Sequence, residues 1–151
     1  MSISSNEILN QLASLQNKRD RLCLFINYQE SVNSPNLGEI PFINVGKQLS
    51  EKLLMLPQKE RSTQASLFFS EIIRYSSSEL IGLSRLEILF NRDLAIDPLK
   101  LLRENAKQKT ILALWPGHFD HKMGLTYAQP NHSEYRLYKP QDIKDLLVIE
   151  F

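Results

Sequence analysis

Apolar positions follow two alternating rhythms along this chain, helical spacing and short unbroken runs. From Ser5 to Asp20, Ile8, Leu9, Leu12 and Leu15 fall on one helical face behind a Ser-Ser-Asn start suited to capping, which predicts an amphipathic helix within residues 1–20. RLCLFI, residues 21–26, is too brief for a helix and reads as a strand covered on both faces. NYQESVNSPNLGEI supplies loop residues, and PFINV, residues 41–45, predicts a second strand. Between Lys47 and Tyr75, Leu49, Leu53, Leu54 and Leu56 give a helix ending near Pro57, and Ala65, Phe68, Phe69, Ile72 and Ile73 give another. Leu80 to Leu86 is a third strand, Asp97-Pro98 opens a helix through LKLLREN, and KTILALW, residues 109–115, is a fourth strand. Residues 116–141 read as a hairpin excursion in which LTYA and YRLY flank AQPNHSE, and LLVIEF closes the chain as a fifth strand.

Strands separated mostly by helices predict a single α/β domain over residues 1–151 with a largely parallel sheet, since parallel neighbours need crossover connections. Ligands on such sheets sit at the carboxyl ends of strands, so the loops after Ile26, Val45, Leu83 and Leu114 are where chemistry is expected. The composition, 42% apolar and 23% charged, is that of a globular chain, and a formal charge of +1 argues against a strongly electrostatic nucleic-acid binder. Cys23, the single cysteine, lies inside LCLFI and reads as a buried hydrophobe. With no secretory pattern in MSISSNEILNQL and no run of ~20 apolar residues, a cytoplasmic setting without membrane contact is expected.

The third strand carries the sharpest functional signal. In LIGLSRLEILF, a serine and an arginine stand where a nucleotide-hydrolysing domain places the first of two acids that hold Mg²⁺ and polarise water. A phosphate loop would also be expected after the first strand, with glycines, a lysine and a hydroxyl around the phosphates. Residues 27–40 contain no lysine and no glycine before Gly38. Gly46-Lys47 follows the second strand and precedes Gln48, which makes it the start of an ordinary helix.

PFINVGKQLSEKLLMLP, LEILFNRDLAIDPLKLL, the WPG of residues 115–117 and LTYAQPNHSEYRLY, in this order and spacing, make the chain resemble the BrxF family. These are small P-loop proteins of type 3 BREX (bacteriophage exclusion) defence systems, and the resemblance runs from about Leu22 onward. It implies a three-layer P-loop NTPase-like, AAA-like fold. Family members carry a glycine-rich phosphate loop after the first strand and an acid at the position of Ser84; this chain has neither, although Glu87 matches the family's glutamate. Glu87 and Ser84 are therefore expected to be vestigial, with no bound cofactor, because a carboxylate without metal or phosphate has nothing to act on. The implied function is that of a pseudo-ATPase subunit acting by contact with other defence-system proteins, or with further copies of itself. Two alternatives stay open: an ATPase using ATP and Mg²⁺ in a divergent site completed by a neighbouring subunit or by Lys47, and a small nucleic-acid-binding module.

GHFDH groups His118, Asp120 and His121, but with only the solitary His132 beyond them a polar loop is the preferred reading over zinc. No serine sits in a G-x-S-x-G turn. Arg85, Arg92 and Arg103 could meet a neighbour's phosphate, but are expected to be solvated or paired with Glu87, Asp93 and Glu104. The hairpin tyrosines Tyr127, Tyr135 and Tyr138, with Arg136, Lys139 and Lys144, combine residue types favoured at interfaces. Tyr135, Arg136 and Tyr138 are the candidate contact residues, and stacking on bases is the nucleic-acid alternative.

Overall fold

A computed structural model describes residues 4–29 and 37–151. Its strands are β1 (Leu22–Ile26), β2 (Phe42–Asn44), β3 (Leu80–Ser84), β4 (Thr110–Trp115), β5 (His118–Asp120), β6 (Gly124–Tyr127), β7 (Arg136–Tyr138) and β8 (Leu147–Glu150). Its α-helices are α1 (Ser5–Ala13), α2 (Val45–Leu54), α3 (Gln58–Arg74), α4 (Pro98–Asn105) and α5 (Pro140–Ile143).

Helix boundaries follow local chemistry. The Ser4 hydroxyl accepts the Glu7 N–H at 3.2 Å, the Asn44 side chain accepts that of Lys47 at 3.0 Å, and Asp97 accepts that of Lys100 at 3.3 Å, with Pro98 filling the first turn of α4. Each cap satisfies a donor that the helix itself leaves unpaired. The N-terminal helix is shorter than its spacing predicts: α1 ends at Ala13, and Ser14–Asn17 tightens into a 3-10 turn that still buries Leu15. Pro57 separates α2 from α3 as expected. Leu54, counted in the apolar stripe of α2, is instead 70% exposed, while Leu49 and Leu53 face inward.

The main sheet has the order β2-β3-β4-β1-β8, and every neighbouring pair is parallel. β1 is buried at every position, as a continuous apolar run in a sheet covered on both faces should be. Leu22, Leu24 and Ile26 pack with Ile81, Leu83, Ile111 and Ala113 against α2, α3 and α4. Cys23, Phe25, Leu112 and Ile149 point the other way, against Ile8, Leu12 and Leu15. The result is an α/β sandwich of helices, sheet and helix.

The third strand stops at Ser84 rather than Leu86, because Arg85 turns into the left-handed region at φ 55° and Leu86–Phe90 forms a 3-10 helix. The excursion after β4 contains the expected hairpin, with Leu125 opposite Tyr138 and Tyr127 opposite Arg136. It also has a third strand: His118–Asp120, read from sequence as a polar loop, pairs with β6 to make the antiparallel order β5-β6-β7. Trp115 fastens this small sheet to the large one, its indole N–H donating to the Thr126 carbonyl at 3.0 Å.

Candidate functional site

The chain leaves β1 for β2 on one side of the main sheet and leaves β4 for β8 on the other. The winding therefore reverses between β1 and β4, and an open α/β sheet has its natural crevice outside the carboxyl ends of strands at such a reversal. Ser84 closes β3, and Asn27, Lys47, Arg85, Glu87 and Gly117 fall just beyond strand ends on this side.

Residues 30–36 of the segment where a phosphate loop was sought lie outside the described residues. Ser84 is half-buried and its hydroxyl donates to the Ile43 carbonyl at 3.3 Å, a bond between β3 and β2. Gly46 and Lys47 occupy the first turn of α2, as their sequence context suggested. A Cβ on Gly46 would lie 3.1 Å from both the Cβ and the carbonyl oxygen of Arg85, so its lack of a side chain permits the close approach of α2 to the end of β3. Glu87 is exposed in the 3-10 helix, and its charge, after burial and that of Glu134, raises the Tyr127 phenol above its ordinary pKa.

Beside this edge lies a cleft of about 550 Å³ between the segment after the 3-10 helix and the small sheet. Its lining includes Arg92, Ile96, His132, Tyr135, Arg136 and Tyr138, so the three candidate contact residues are brought together. They are not equivalent. Tyr138 is seated inward: its hydroxyl donates to Asp97 Oδ1 at 2.7 Å, accepts the Leu99 N–H at 3.3 Å, and its ring meets Trp115 edge to face at 6.1 Å. Burial, then the Asp97 carboxylate, pushes the Tyr138 phenol well above its ordinary pKa. Arg136 donates to the Ile96 carbonyl at 2.6 Å and lies 4.0 Å from Asp97. Tyr135 is half-buried, and its backbone N–H donates to the His132 carbonyl at 3.1 Å. Behind the cleft Tyr127 stacks on Phe90 at 3.8 Å, and Phe90 meets Trp115 at 5.4 Å.

Asp97 is the site residue that sequence reading undervalued. Asp-Pro announced a helix start, but not that the same carboxylate would anchor Tyr138 and attract Arg136 from some 40 residues away. Arg103 is also corrected. Its expected partner was Glu104, yet adjacent helix residues do not face each other. Arg103 instead pairs with Asp20 and Asp145, each at 3.0 Å, on the opposite edge of the sheet.

His118, Asp120, His121 and His132 do not converge. Asp120 Oδ1 accepts the N–H groups of Lys122 and Met123 at 2.7 and 2.9 Å, which holds its pKa below the usual carboxylate value. His121 approaches Glu150 at 3.3 Å, while His132 Nδ1 accepts the Glu134 N–H in a separate turn. Among the described residues no group of three or more His, Cys, Asp or Glu side chains is placed to hold a metal. Also among them, no helix is long and apolar enough to cross a membrane. Compared with family models, curated proteins and solved structures, the chain matches none.

Proposed function

We propose that this chain is a non-catalytic, P-loop NTPase-like subunit of a BREX-like anti-phage defence system, acting through protein contacts. The observation that carries the reading is the end of β3. There Ser84 spends its hydroxyl on the Ile43 carbonyl and is followed by the cation Arg85. Mg²⁺ at that position needs an ionised oxygen ligand, and a neutral hydroxyl already bonded to a backbone carbonyl offers none. The reversal of winding between β1 and β4 supports a nucleotide-binding ancestry, and the cleft lined by Tyr135 and Arg136 supplies a surface through which a subunit without chemistry can work.

The test is phage plating on a host protected by the system that contains this chain. Deleting the chain should raise plating efficiency, while Glu87→Gln should leave protection near wild type. Unchanged plating after deletion removes the defence role. Loss of protection by a folded Glu87→Gln variant restores Glu87 as a catalytic base and removes the non-catalytic one.

A further inference from the structure

We propose that the outer edge of β7 captures an extended segment of a partner protein bearing an acidic side chain, which adds as a fourth strand to the small sheet. This rests on the reading of the chain as a contact subunit and names the kind of contact.

The backbone directions follow from two close approaches. Thr126 directs its carbonyl toward the β5 side, where it accepts the Trp115 indole N–H and lies 1.8 Å from the place a Cβ on Gly117 would take. Alternation along β6 then aims the N–H and C=O of Leu125 and Tyr127 at β7. The Tyr138 carbonyl, 2.0 Å from the place a Cβ on Gly124 would take, points back at β6 in agreement. Opposite Thr126, Leu137 must therefore direct both its N–H and its C=O away from β6, along the side where no strand of the small sheet follows. Leu137 is also 38% exposed and lines the cleft together with residues 134–136 and Tyr138, so the unpaired edge forms one wall of an open space.

An unpaired edge of this kind is a template for strand addition, with main-chain bonds giving affinity and side-chain pockets giving selectivity. The cleft's volume lies within the usual range for ligand sites. Its charge sets the selectivity: the lining carries the cations Arg92 and Arg136 against the single acid Glu134. Arg136 already leans toward Asp97, whereas Arg92 enters no ion pair among the described residues. An acidic side chain reaching across from the added strand is the complement of Arg92.

The probe is a fluorescein-labelled peptide of about six residues, a usual strand length, alternating Val and Thr around a central Glu, with a central-Lys peptide as control. Anisotropy should show the Glu peptide binding at least tenfold more tightly than the Lys peptide, and Arg92→Glu should reverse that order. Leu137→Pro removes the outward N–H without breaking a bond to β6, and should weaken binding roughly tenfold, the usual cost of stranding a polar partner. Leu137→Ala keeps the N–H and should bind like wild type. Methylating alternate backbone nitrogens of the probe should abolish binding in one of the two registers, a result that does not depend on how Leu137→Pro folds. The proposal is overturned by absence of binding below millimolar peptide, by equal affinity for Glu and Lys probes, or by indifference to both methylation registers. If deletion lifts protection yet no probe binds, the contact role stands and β7 is not its site; if probes bind but deletion changes nothing, the edge is real and the defence reading fails.

Discussion

Replacing Tyr138 by Phe removes one oxygen and leaves the ring against Trp115. That oxygen bridges two elements: it donates to Asp97 Oδ1 at 2.7 Å and accepts the N–H of Leu99, in the first turn of α4, at 3.3 Å. A hydrogen bond to a charged group contributes ~1.5–3 kcal/mol net, and the half-exposed setting of Asp97 places this one near the low end, about 1–2 kcal/mol. For a chain of this size that corresponds to a fall in Tm of about 3–6 °C. Urea unfolding should show a lower midpoint with an unchanged slope, since the surface exposed on unfolding is the same. In an Asp97→Asn background the cost of Tyr138→Phe should shrink, because the two groups share one bond. A loss under ~0.5 kcal/mol, or strict additivity of the two substitutions, would refute the assignment of Tyr138 as the fastener between the small sheet and α4. Tyr138 would then be free for a partner in the way Tyr135 is proposed to be.

Acid sensitivity should centre partly on Asp145, whose pKa is lowered chiefly by its hydrogen bond from Arg103. Because the folded value lies below the unfolded one, the stabilisation is present above the ordinary carboxylate range and is lost as pH falls through the lowered value. Asp145→Asn should flatten the acid limb of a plot of Tm against pH; an unchanged limb would exclude Asp145 as a contributor. Cys23 is fully buried, and burial pushes its thiol up to about 12. A thiol reagent at pH 8 should label it only as fast as the protein opens, so rapid labelling of folded protein would contradict the packing around β1.

What could be read from sequence was set by range of interaction. β1 and β4 were legible because unbroken apolar runs of five residues, LCLFI and ILALW, leave little alternative to a strand buried on both faces. The start of α4 was legible because Asp97 and Pro98 act within one turn. β5 was not, since three residues with exposed His118 and Asp120 around half-buried Phe119 resemble a polar loop until β6 is beside them. Leu54 satisfied the helical spacing yet faces solvent because α2 ends there, and the chain turns into α3 without covering it. The inward seat of Tyr138 and the partners of Arg103 depend on contacts about 40 to 80 residues apart, which spacing along one element does not encode.

The proposal that the end of β3 no longer serves a nucleotide is tested most directly by calorimetric titration of the purified chain with ATP and with GTP, each with and without Mg²⁺. With Ser84 bonded to Ile43 and Arg85 following it, the account predicts no binding heat below millimolar nucleotide in any of the four titrations. Saturable binding at micromolar concentration, strengthened by Mg²⁺, would contradict it and give this chain a divergent nucleotide site.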